Sequence, residues 1–66
     1  MKKFKYYKYE DTNKGCGEAE IVLYINAYSE EHAVSRIKAE LGEYDRIGYG
    51  LKEVEEFIQP QQIKVI

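Results

Sequence analysis

Sixty-six residues, 44% of them apolar and 33% charged, describe one small folded domain spanning 1–66 and exclude a disordered tail. A chain of about 60 residues buries only roughly 60% of its unfolded surface, so its core is thin; the single Cys16 forms no internal disulfide, and with the single His32 it cannot complete a four-ligand zinc site. The net charge of −2 separates into +4 over residues 1–9 and −6 over the remainder, a segregation that says more about partners than the total does.

No apolar run approaches the length of a membrane span, and the N-terminal lysines precede no apolar leader segment. Together with one unpaired thiol this sets a cytoplasmic location, and no membrane partner, as the expectation.

The stretch KKFKYYKYE (residues 2–10) is rich in strand formers. In a strand, Phe4, Tyr6 and Lys8 point one way and Lys5, Tyr7 and Tyr9 the other. Asp11-Thr12-Asn13-Lys14-Gly15-Cys16-Gly17 then supplies turn residues, and Cys16 between two glycines is expected to be exposed. The second strand has the clearest alternation. Ala19, Ile21, Leu23, Ile25 and Ala27 form a core face, while Glu20, Val22, Tyr24, Asn26 and Tyr28 form a mixed aromatic and polar face.

Ser29-Glu30-Glu31 marks a helix start, with Ser29 as the cap and the two acids at the positive end of the dipole. His32 occupies the position where a capping box carries Glu or Gln. Ala33, Val34, Ile37, Leu41 and Tyr44 share one stripe, and Gly42 is placed to end the helix in a left-handed cap. Gly48-Tyr49-Gly50 breaks the chain. Residues 51–58 fit either a helix or a strand, and a strand is favoured because two strands under one helix are poorly stabilised. As a strand, Lys52, Val54, Glu56 and Ile58 share a face. Pro60 ends it, and residues 63–66 add a short edge strand.

The fold class that follows is α+β: a β-β-α-β(-β) domain with an antiparallel or mixed sheet of three to four strands and one helix on one face. A crossover from the second strand through the helix makes the third strand parallel to it. If the third strand lands beside the first, the tyrosine-lysine strand becomes central.

One helix covers one face of such a sheet and leaves the other open. The open face would carry Val22, Tyr24 and Tyr28 with either Tyr7 and Tyr9 or Phe4 and Tyr6. Tyrosine contributes much apolar area and a hydrogen bond at small entropic cost, so this is the composition of an interface core. Tyr7, Tyr9, Tyr24 and Tyr28 are the candidate anchors, with Lys5 and Lys8 at the rim. The expected function is non-enzymatic protein–protein binding, as in small accessory or inhibitor proteins of bacteria and phages. An unidentified protein is the expected partner, and a homodimer would use the same face.

The alternative is single-stranded nucleic acid, stacked on Tyr7 and Tyr9 and held by Lys2, Lys3, Lys5 and Lys8. Glu53, Glu55 and Glu56 on the neighbouring strand disfavour it by repelling phosphate. Cys16 has no base near it in sequence to form a thiolate. No cofactor, metal or catalytic residue is expected.

Overall fold

The computed structural model describes residues 1–12, 15–58 and 60–66, and of 10–12 and 15–19 it describes the backbone alone. Three strands and one helix follow in the order β1 (Lys2–Thr12), β2 (Gly15–Ala27), α1 (Glu30–Leu41) and β3 (Tyr49–Val54). β1 lies between the other two strands and is antiparallel to both. The sheet is therefore β2-β1-β3, the tyrosine-lysine strand is central, and the α+β class holds.

The hairpin is longer than the turn residues imply. Pairing continues through Glu10↔Gly17 and Asp11↔Cys16 to Thr12↔Gly15. Glycine accepts extended backbone as readily as a turn, so Gly15 and Gly17 do not stop a ladder that flanking residues propagate. Asn13 and Lys14 lie outside the described residues, as do the side chains of Cys16 and Ala19, so their expected turn, exposed and core roles concern parts of the chain that are not described.

Two irregularities in β2 correct the expected alternation. The β1 partners step from Tyr6↔Leu23 to Tyr7↔Ile21, and from Lys8↔Glu20 to Tyr9↔Glu18, so β2 carries an extra residue at Val22 and again at Ala19. An extra residue reverses the parity of everything beyond it. Val22, expected on the open face, packs against the helix-side core. Ile21, expected in the core, lines a groove with Tyr24 on the opposite face.

The helix begins and ends where the sequence signals lie. The Ser29 side chain accepts from His32 N–H at 3.1 Å, and Gly42, at φ 86°, donates its N–H to the Lys38 carbonyl. His32 completes the cap in an unexpected way. Its Nδ1 accepts from Tyr28 N–H at 3.0 Å, doing one residue earlier what a capping-box glutamate does.

Ala33 and Ile37 are fully buried against Phe4, Tyr6, Leu23, Ile25 and Ala27, which form the core. Each isoleucine buried there contributes about 1.5–3 kcal/mol relative to an exposed one. Leu41, expected on the same stripe, is 44% exposed in the last helical turn, where an open cavity separates it from Tyr6, Val22 and Tyr49 on the sheet.

β3 is shorter than the expected 51–58. It starts at Tyr49, so the Tyr49-Gly50 pair belongs to the strand rather than to a break, and it ends at Val54. The chain then crosses the face away from the helix. Phe57 packs on Tyr24 with ring centroids 4.7 Å apart, and Lys3 Nζ lies 5.9 Å from the same Phe57 ring.

The last residues close the outer edge of β2. Tyr24 N–H donates to the Lys64 carbonyl and Ile66 N–H to the Tyr24 carbonyl, both at 2.9 Å, and Asn26 N–H donates to the Ile66 carbonyl at 2.8 Å. Val65 thus bridges Tyr24 in parallel, which is the short edge strand expected over 63–66. Lys64 also pairs with Glu40 on the helix. The face expected to be open is consequently covered along its β2 side.

Candidate functional site

Which side chains share that face is set by strand alternation. Lys5, Tyr7 and Tyr9 point away from the helix, and their neighbours on β3 are Lys52 opposite Lys5 and Gly50 opposite Tyr7. A groove runs beside them. Lys5 and Lys52 border it on the sheet, Ile21 and Tyr24 border it from β2, and Ile58 and Val54 complete its apolar lining. Glu55 and Glu56 supply carboxylates at its rim.

Gly50 creates the adjoining feature. A methyl group at this position would stand 2.6 Å from Tyr7 Cζ, so the phenol lies over the third strand only because glycine is there. The Tyr7 ring meets Tyr9 edge-on at 5.3 Å and 78°, and their hydroxyls share a hydrogen bond at 3.4 Å. Lys5 Nζ sits 5.3 Å from the Tyr7 ring centroid, a cation–aromatic contact that holds the lysine stem along the ring. Tyr7, expected as a surface anchor, is buried at 7% exposure under these contacts, and of the pair only Tyr9, at 40%, reaches solvent.

The structure brings together Lys5, Tyr7 and Tyr9 from the expected site and separates the rest. Tyr24 borders the groove but is 1% exposed, because Phe57 covers its ring and its hydroxyl donates to the Ile58 carbonyl. It is a core residue of this face, not a surface anchor. Tyr28 is exposed, but it stands at the end of the sheet opposite the hairpin, stacked on His32 at 5.3 Å. Lys8 points to the helix side, opposite Tyr49.

The lysines of the alternative set divide likewise. Lys3 and Lys5 are on the groove face, while Lys2 lies on the other, 3.9 Å from Glu53. Ile21, Gly50, Lys52, Val54 and Ile58 were missed as site residues by sequence reasoning. The shared strand face of Lys52, Val54 and Ile58 was one signal, and Gly50 within a strand, which often marks a close approach, was another.

The helix side carries a second aromatic cluster. Tyr6 packs between Tyr44 at 5.4 Å and Tyr49 at 5.3 Å, and its hydroxyl accepts from Asp45 N–H at 3.1 Å. Burial raises the Tyr6 phenol above its ordinary value near 10. The unfolded chain therefore ionises first, so the stability contributed by the neutral phenol is complete below about pH 10 and is lost as pH rises through the folded value. Urea unfolding between about pH 8 and pH 11 should show a steeper loss for wild type than for Tyr6→Phe. Equal slopes would show that other groups govern alkaline unfolding.

Among the described residues no three His, Cys, Asp or Glu side chains converge to hold a metal ion, and no helix is long and apolar enough to cross a membrane. No protein-family model, curated protein or solved structure matches this chain.

Proposed function

We propose that this chain is a non-enzymatic binding module that acts by protein–protein contact, in the manner of small accessory or inhibitor proteins, through the groove and tyrosine pair on the face away from the helix. The observation that carries this reading is the composition of the groove. Apolar Ile21, Val54 and Ile58 lie beside the Lys5–Lys52 pair, and the Glu55 and Glu56 carboxylates stand at the rim. A protein surface supplies an apolar side chain and charges of both signs at once.

A phosphate backbone meets repulsion at that rim. Tyr7, buried with its phenol tip over Gly50, presents little ring for a base to stack on. Both features favour a protein partner over single-stranded nucleic acid. A cytoplasmic setting, which suits an unpaired Cys16, belongs to the same reading.

The test uses Tyr9→Ala combined with Ile58→Asp, two exposed positions whose replacement leaves the core intact. A protein captured by the wild type, identified and purified, should bind the double variant at least about tenfold more weakly. Equal affinity for the folded double variant would overturn the site. Amide shifts over residues 2–9 on adding a single-stranded oligonucleotide, weakening with salt, would put nucleic acid in its place.

A further inference from the structure

The two edges of the sheet are treated differently. The outer edge of β2 is closed by residues 64–66, whereas among the described residues no backbone hydrogen bond reaches the outer edge of β3. Ladder alternation identifies the groups left there. Tyr9 N–H donates to the Gly48 carbonyl, and every second pair from it, Tyr7 with Gly50, Lys5 with Lys52 and Lys3 with Val54, bonds across β1 and β3. Tyr49, Leu51 and Glu53 therefore direct both N–H and C=O outward. Such an edge is a template for another strand, and among the described residues this one has no bulge, no proline and no hydrogen-bonded neighbour.

We propose that the occupant of this edge is a second copy of the chain, paired antiparallel through β3 about a two-fold axis at Leu51. Register selects the axis. Centred on Leu51, the pairing uses all three outward residues, Leu51 with Leu51 and Tyr49 with Glu53 twice, giving about six backbone hydrogen bonds at two per pair. Centred on Lys52, it would set the two Lys52 ammonium groups directly opposite each other, which is unfavourable. Centred on Gly50, it would leave Glu53 without a partner.

The Leu51 register places Lys52 of each copy opposite Gly50 of the other, the position that has no side chain of its own. There the phenol tip of Tyr7 already lies over β3, so the aliphatic stem of the second copy's Lys52 packs beside that tip. The contact is isologous and closes, so it yields a dimer rather than a fibre. It builds a six-stranded sheet with both helices on one side and both grooves on the other. The inference stands on the free edge and its register, and does not need the groove to bind a partner.

Sedimentation equilibrium over about a hundredfold range of concentration should show the mass rising from 7.8 kDa toward twice that value. In the dimer, the amides of Tyr49, Leu51 and Glu53 should exchange slowly, and dilution should release them. Glu53→Pro removes one outward N–H without touching the bonds to β1, so it should hold the folded chain as a monomer. A mass of 7.8 kDa throughout, with fast exchange at Tyr49 and Leu51, would overturn the proposal, and so would a dimer whose protected amides lie elsewhere. Should Glu53→Pro fail to fold, wild-type exchange on dilution still decides between these outcomes.

Discussion

Tyr24→Ala should remove a large share of this chain's stability. The ring is buried between β2 and Phe57, its backbone holds residues 64–66 at the sheet edge, and its hydroxyl is bonded to the Ile58 carbonyl. Truncating a buried aromatic ring costs about 3–5 kcal/mol. A domain of this length has roughly 3–10 kcal/mol in total, at about 0.05–0.15 kcal/mol per residue. Tyr24→Phe keeps the packing and loses only the hydroxyl bond, a cost of about 0.5–1.5 kcal/mol. Urea unfolding of the three proteins measures both. A folded Tyr24→Ala chain with near wild-type stability would mean that residues 57–66 do not cover this face in solution.

The second large effect is expected at Gly50. Its backbone is not in the left-handed region occupied by Gly42 and Gly48, so alanine is allowed by conformation and opposed only by space. The added methyl would meet the Tyr7 ring at 2.6–2.8 Å, forcing the phenol off the third strand and away from Tyr9. Gly50→Ala should therefore cost about 1–3 kcal/mol, the usual range for overpacking.

A double-mutant cycle separates this cause from a general intolerance of the strand. With Tyr7→Ala already present the obstacle is gone, and adding Gly50→Ala should cost almost nothing or stabilise slightly by restricting the unfolded chain. Equal costs in the two backgrounds would show that the Tyr7–Gly50 contact is not what makes glycine necessary. A Tyr7 ring moved off β3 would no longer lie beside a second copy's Lys52, so Gly50→Ala should weaken the dimer as well.

Most of the fold was legible because it is encoded locally. Ser29, Glu30, Glu31 and Gly42 carry their helix-ending chemistry in their own side chains or backbone freedom, and each acts where it stands. The period of two along β1 survives intact, so the assignment of Lys5, Tyr7 and Tyr9 to one face and Phe4 and Tyr6 to the other is the one observed. The candidate site was legible only in part, since half of its residues come from β2 and from the segment after β3.

Composition and periodicity by themselves determined an α+β hairpin, a capped helix and a tyrosine-rich strand whose alternate side chains face opposite ways. Tertiary structure alone decided which of those tyrosines reach solvent. Whether Ile21 or Val22 enters the core depends on where β2 takes up an extra residue, and that is a property of two strands in register rather than of either one. Whether Tyr24 is a surface anchor or a core residue depends on Phe57, 33 positions away, and on a chain end that satisfies the outer backbone groups of β2. Local signals carry neither contact, because burial is set by whatever arrives from elsewhere in the chain.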